Sequence, residues 1–255
     1  MKTCVFITSF KGRLGLIEEF IRRFCSSGIE LPLLVFCDAP NPGVPQGTEW
    51  IEDTFAFTTP HQLIALAYRS LLRLSCRIRR RARPYSDNLL GYTPLWGQRL
   101  QSAISLMIQR GYTHAIWCCD DGWFAATNVQ RLSRIMEATA QHQAGYFRLT
   151  ESLSRSTHRT PSQKLGDDVL ELLPSAEALP CHYVSHQTCL WDLQALAQIT
   201  RPLDCACRHE NSGTYRFHQA GFRAMEYEGD PVIPSLGVFG DGGFDQARIN
   251  GWHPR

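Results

Sequence analysis

Three short segments, Thr3 to Ser9, Leu31 to Cys37 and Thr113 to Cys119, are apolar along nearly their whole length rather than at every second residue. A strand with one wet face alternates, so a continuous apolar run of this length reads as a strand covered on both sides. Such strands belong to a largely parallel sheet, and parallel neighbours must be joined by crossovers that are usually helices. The intervening sequence supplies them. Leu16, Ile17, Phe20, Ile21 and Phe24 recur at helical spacing until Gly28. Thr93-Pro94 opens a helix that carries Trp96, Leu100, Ala103, Ile104, Met107 and Ile108 on one face as far as Gly111. Thr59-Pro60 opens another, with Leu63, Ala67, Leu71, Leu74 and Ile78. The prediction is an α/β chain with helices on both faces of a mainly parallel sheet.

Gly145 to Thr150 reads as a further strand, and Ala39 to Gly47, with three prolines and two glycines, as a loop. The polar stretch Glu151 to Asp168 also reads as a loop. The C-terminal third is rich in His, Trp and Gly and suits a site-building region better than a core. With 255 residues, 44% of them apolar, the chain is expected to form one domain over 1–255.

Ten cysteines in a chain of this size with a good core read as reduced thiols, not as a disulfide framework. The N-terminus has no full-length apolar signal region before Lys11 and Arg13. No stretch of about 18 apolar residues occurs either, so a soluble, unexported, cytoplasmic chain is expected. A net charge of +2 argues against a nucleic-acid partner. The positive charge is nevertheless local: Arg77, Arg79, Arg80, Arg81 and Arg83 fall within seven residues. They form either a solvated helix end or a peripheral contact with anionic lipid headgroups on the inner face of a membrane.

In parallel sheets, ligands sit outside the carboxyl ends of the strands. Three such ends converge by this reading: Thr8-Ser9 with Arg13, Cys37-Asp38, and Asp120-Asp121. Adjacent carboxylates at the end of a buried strand repel each other unless a cation or several donors compensate. Mg²⁺ or Mn²⁺ would do so, because hard cations take one or two carboxylates together with substrate phosphates. The alternative is a surface turn in which Asp120 caps the following helix.

Trp96-Gly97-Gln98-Arg99-Leu100 leads through Gly111-Tyr112-Thr113 to Trp117-Cys118-Cys119-Asp120-Asp121. Further on come Val184-Ser185-His186-Gln187-Thr188-Cys189-Leu190-Trp191-Asp192 and Arg208-His209-Glu210-Asn211-Ser212-Gly213. Taken in this order, the segments resemble the nucleotide-sugar glycosyltransferases of the GT-A type, particularly bacterial members with a paired-Asp form of the DxD motif. Cys119 stands where the first Asp of that motif would be. The resemblance implies a GT-A, Rossmann-like fold, with 1–125 as a nucleotide-binding half and 126–255 as an acceptor-binding half. It implies Asp121 as the ligand of Mn²⁺ or Mg²⁺ and Asp120 on the ribose or a metal-bound water. Asp38 would hold the base or ribose, and Thr8, Ser9 and Arg13 would line the nucleotide cleft. On the acceptor side it implies Gln187 and Trp191, where Trp191 either stacks on a sugar ring or fills the core. Glu210 is the candidate general base of an inverting transfer, or else a solvated loop carboxylate. The expected partners are a nucleotide-sugar donor, UDP-linked by preference, and a glycan or lipid-linked acceptor hydroxyl.

Cys205, Cys207 and His209, with Cys181 and His182, have the chemistry of a zinc site but lack its usual Cys-x-x-Cys spacing. Gly237 to Gly243 reads as a flexible closing loop, and His253 as a weak further metal ligand. No Gly-x-x-x-x-Gly-Lys-Ser/Thr is present, which argues against a P-loop enzyme. Two other functions remain compatible with the sequence: a nucleotidyltransferase on a similar sheet, and a non-catalytic nucleotide-binding or docking domain.

Overall fold

The computed structural model describes residues 1–9, 14–52, 96–119, 122–124, 128–150, 161–166, 168–174, 184–202, 204 and 206–229, with short pieces between 232 and 244. In chain order these give β1 (Thr3–Thr8), α1 (Leu14–Cys25), β2 (Leu33–Cys37), β3 (Thr48–Glu52), α2 (Trp96–Gln109), β4 (His114–Cys118) and β5 (Gly122–Phe124). There follow α3 (Val129–His142), β6 (Ala144–Arg148), β7 (Ser162–Gly166), β8 (Val169–Leu172), β9 (Cys189–Asp192), α4 (Leu193–Ile199), α5 (Ala206–Gln219) and β10 (Arg223–Tyr227). β11 (Ser235–Gly237) pairs with β5, and β12 (Phe239–Gly240) with β13 (Gly243–Phe244), apart from the main sheet.

The main sheet has nine strands in the order β3-β2-β1-β4-β9-β6-β10-β8-β7. β3, β2, β1 and β4 are mutually parallel, β9 opposes both of its neighbours, and β6 and β10 are parallel. β8 opposes β10 and β7 opposes β8, so only β8 and β9 run against the common direction. The sheet is therefore mixed and mainly parallel, as the continuous apolar runs predict.

Its two faces are sorted by residue parity. Val5, Ile7, Leu33, Val35, Cys37, Ile116 and Cys118 share one core with Ile17, Phe20, Ile21 and Phe24 of α1 and Leu132 and Ile135 of α3. Cys4, Phe6, Leu34, Phe36, Ala115 and Trp117 share the other with Leu100, Ala103, Ile104 and Met107 of α2 and with α4 and Phe217 of α5. Each strand residue lands on one face or the other because successive side chains alternate. Both faces being covered explains why the polar positions of an exposed strand are missing.

α1 and α2 end within three residues of Gly28 and Gly111, respectively. At the other end of α2, the Gly97 N–H donates to the Asp204 carbonyl at 3.0 Å. A Cβ there would lie 2.1 Å from the Arg201 carbonyl oxygen, so this close approach requires glycine.

Two sequence expectations are corrected, and one strand carries no signal in the sequence. The stretch predicted as a loop from Glu151 to Asp168 contains β7, an exposed edge strand whose polar side chains face solvent. The described part of the C-terminal third builds core as well as site: Leu190, Trp191, Leu193, Leu196, Ile199 and Phe217 are fully buried, and β9 lies near the middle of the sheet. β3 follows the proline-rich loop as an edge strand that the apolar pattern did not mark, because it is only partly buried. The helix expected after Pro60, the Arg77 to Arg83 cluster and His253 lie outside the described residues. Among the described residues, no helix is long and apolar enough to cross a membrane.

Candidate active site

β1 is flanked by β2, the next strand in the chain, on one side and by β4, reached after the first connections have run the other way, on the opposite side. This reversal is a topological switch point, where the loops leaving adjacent carboxyl ends part and leave a crevice. Thr8 pairs with Phe36 in register, which places Ser9 and Asp38 at neighbouring strand ends. Ser9 is buried and fixed from both sides: its N–H donates to the Phe36 carbonyl at 2.8 Å, and its own carbonyl accepts from Arg99 at 2.7 Å. Asp38 is exposed beside it. The structure thus brings Thr8, Ser9 and Asp38 together, with Arg99 from the first turn of α2 as a partner that the sequence pattern did not single out. Arg13, Asp120 and Asp121 lie outside the described residues.

Because β9 runs against β4 and β6, the segment 184–188 that feeds it lies at the same carboxyl edge. The Cys119 thiol, in the place of a first Asp, donates to the His186 carbonyl at 3.0 Å and ties the end of β4 to that segment. From the end of β6, buried Arg148 donates to Ser185 Oγ at 3.1 Å and to Gln187 Oε1, which also accepts from Thr150 Oγ1 at 3.1 Å. Gln187 is therefore held through its carbonyl end at this edge, while the residue as a whole is exposed.

Glu210 is not a loop residue. It lies in the second turn of α5 with its side chain 19% exposed, and its Oε1 accepts the His186 backbone N–H at 2.9 Å. The same oxygen is 3.7 Å from His186 Nδ1. The opposite ring nitrogen, His186 Nε2, is 2.9 Å from His209 Nδ1, and His209 Nε2 is 3.0 Å from Thr200 Oγ1. The indoles of Trp96 and Trp117 lie against the His186 ring, with centroids 5.0 and 4.7 Å away. Trp96 and Trp117 read in the sequence as helix-face and strand core, so their place beside the polar chain was not visible. Burial pushes His209 well below the ordinary histidine range, with further lowering from His186 and Arg216. Asp204, paired with Arg216, is raised because burial outweighs the guanidinium beside it.

Two of the sequence alternatives are decided by packing. Trp191 is 0% exposed in β9, between Tyr146 and Phe217 in edge-to-face contacts at 4.8 and 5.8 Å, so it fills the core and presents no face to a sugar. His209 uses both ring nitrogens within the protein, which removes it from a zinc site. Cys181, His182 and Cys205 lie outside the described residues. Among the described residues, no group of three His, Cys, Asp or Glu side chains is placed to hold a metal ion.

No protein-family model matches the sequence, and no curated protein does. Solved structures do resemble the fold. S. aureus TarS, residues 1–349, superimposes with a TM-score of 0.50 at 12% identity, over 92% of this chain and 60% of that one. The mannosyltransferase PcManGT from Pyrobaculum calidifontis, solved with GDP-Man and Mn²⁺, gives 0.49 at 12% identity over 98% of this chain and 60% of its own. CMP:2-keto-3-deoxy-manno-octonic acid synthetase, solved with CTP, gives 0.48 at 11% identity over 98% and 96%. The chain spans about 60% of the length of the first two. The fold is GT-A-like, a Rossmann-type mixed sheet with helices on both faces.

Proposed function

We propose that the chain is a metal-dependent glycosyltransferase that moves a sugar from a nucleotide-linked donor, by preference UDP-linked, to a hydroxyl of a glycan or lipid-linked acceptor with inversion. The observation that supports this most is the placement of Glu210. A carboxylate on a helix end is anchored by a backbone N–H at the carboxyl edge of the sheet, on the far side of β4 from the Thr8, Ser9 and Asp38 crevice. In this reading 1–125 binds the nucleotide and 126–255 the acceptor, within one domain.

Hard cations take carboxylate oxygens, of which Asp38 offers an exposed one at this edge, and Asp120 and Asp121 follow Cys119 directly in sequence. Asp121 would hold Mn²⁺ or Mg²⁺, which supplies charge neutralisation at the diphosphate leaving group. Thr8, Ser9 and Arg13 would line the cleft, Asp38 would hold the base or ribose, Asp120 the ribose or a metal-bound water, and Gln187 would contact the acceptor. Glu210 removes the acceptor proton as the acceptor oxygen bonds to the anomeric carbon and the bond from that carbon to the diphosphate breaks. The Arg77 to Arg83 cluster supplies a peripheral contact that keeps a cytoplasmic protein near a lipid-linked acceptor.

The test is a melting-temperature panel of nucleotide sugars with and without Mn²⁺, because a ligand bound only by the folded state raises its melting temperature. A Mn²⁺-dependent rise that Asp121→Ala abolishes, with Glu210→Gln binding donor normally but losing transfer by about a hundredfold or more, supports the reading. Pyrophosphate release from a nucleoside triphosphate would replace it with nucleotidyl transfer. The absence of any metal-dependent rise would sink both.

A further inference from the structure

The segment 184–188 is tied down along its whole length. The Val184 N–H donates to Thr214 Oγ1 at 3.3 Å, and the Thr188 carbonyl accepts the Leu149 N–H at 3.2 Å. Between them, the Ser185 carbonyl accepts from the Cys189 thiol at 3.5 Å. The His186 backbone is held through its N–H by Glu210 and through its carbonyl by Cys119. Gln187 is the one exposed residue of the five, so a rigid strip of chain carries a single polar side chain out to the carboxyl edge.

The orientation of that side chain is fixed by its partners. An arginine donates and never accepts, so the end of the Gln187 carboxamide that meets Arg148 Nη2 is the oxygen. The same oxygen lies 3.1 Å from Thr150 Oγ1, and an amide oxygen facing a hydroxyl accepts from it. Both lone pairs of Gln187 Oε1 are thereby used by buried residues. Its Nε2 group makes no hydrogen bond among the described residues and has protons but no lone pair to offer.

Resting on the reading of this edge as the acceptor side, we propose that Arg148 is a positioning residue that makes Gln187 a donor-only contact. The acceptor sugar is then recognised here by an oxygen that takes hydrogen bonds, and a group that can only donate is refused. Two effects favour the arrangement. Freezing a glutamine costs rotamer entropy, which is met on folding instead of on binding. A charged donor on the carbonyl end also polarises the amide and strengthens its N–H groups as donors.

The positioning is measured on the protein alone, by ¹⁵N relaxation of the Gln187 side-chain amide. In the wild type its order parameter should approach the value of rigid backbone, about 0.85, and in Arg148→Met it should fall to about 0.6 or below. Thr150→Val, which keeps the shape and removes one donor, should give an intermediate value and serves where Arg148→Met does not fold. A mobile Gln187 amide in the wild type, or one whose order neither variant changes, overturns the positioning.

The polarity of the contact is measured with p-nitrophenyl hexosides as acceptors and, as donor, the UDP-hexose that raises the melting temperature. Gln187→Glu keeps an oxygen for Arg148 and Thr150 but replaces the outward N–H groups with an acceptor. It should raise the acceptor KM about tenfold or more and leave hydrolysis of the UDP-hexose by water unchanged, since hydrolysis uses no acceptor sugar. Arg148→Met should raise the same KM without that change in hydrolysis. Wild-type acceptor kinetics in Gln187→Glu, or in folded Arg148→Met, overturn the proposal and leave Arg148 as a tie between β6 and the 184–188 segment. A wild type that neither responds to nor transfers any nucleotide sugar overturns the acceptor role together with the functional reading, whereas a mobile Gln187 amide in an active enzyme overturns the positioning alone.

Discussion

The two sides of the main sheet are built on different terms. From β3 to β4 the strands are parallel, β2, β1 and β4 are continuously apolar, and the buried polar residues described there are Thr3 and Ser9. From β9 to β7 the directions are mixed, and buried Arg148, Thr150, Ser185, His186, Thr188, Thr200, His209 and Glu226 lie in these strands or in the segments and helices beside them. Buried polar groups cost free energy unless each finds a partner, so they occur where partners can be supplied in sets. The parallel side is a scaffold with a crevice at its edge. The mixed side holds a wired polar cluster against it.

Removing Trp191 is the hardest blow to the mixed side. Trp191→Ala should cost about 3–5 kcal/mol, seen in chemical denaturation, because the indole is enclosed by Tyr146 and Phe217. If it served sugar binding instead, stability would hold and only ligand response would fall. That outcome would break the comparison.

A second difference appears on acidification. His209, and less deeply buried His114, have depressed folded values because of burial, so the unfolded chain takes up protons that the fold refuses as pH falls below the ordinary histidine value. Their contribution to stability is present above about pH 6.5 and is lost below it, by up to about 1.4 kcal/mol per pH unit for each such group. His209→Gln should flatten the slope of melting temperature between pH 7 and pH 5 by roughly the share of one group. An unchanged slope would place the acid sensitivity elsewhere.

At the far edge of the mixed side the effect should be small. Arg223 binds Glu171 through Nε and Nη2 at 2.8 and 2.7 Å and also reaches the His142 carbonyl, yet its side chain is 37% exposed. Solvent screens such a pair, so Arg223→Ala should cost about 1 kcal/mol or less, a shift of roughly 2–4 °C for a chain this long. A larger loss would mean that the edge is wired as tightly as the centre.

The same division governs what could be read from sequence. β1, β2, β4, α1 and α2 announced themselves because burial on both faces and helical spacing are local patterns. β9 did not, since its apolar run is only Cys189-Leu190-Trp191 and its place is fixed by strands far away in the chain. Glu210 and His209 were legible as chemistry-bearing residues and His186 lay in a quoted segment. Their connection spans 23 residues, however, and depends on α5 returning over β9. Arg148 and Arg99 looked like ordinary charges until the fold brought their guanidinium groups to Gln187 and Ser9. No periodicity encodes such a meeting.

The insertion of β9 between β4 and β6 has a kinetic consequence. β6 ends at Arg148 and β9 begins at Cys189, so during synthesis β4 and β6 both exist with open edges before the strand that belongs between them has emerged. Open edges of apolar strands invite pairing with each other or with another chain. The non-local closure also makes the final step slow relative to the local helices. The scaffold side therefore keeps an unpaired edge until late in synthesis. Its last strand waits for a segment more than seventy residues downstream, and the polar cluster is completed only when that segment arrives.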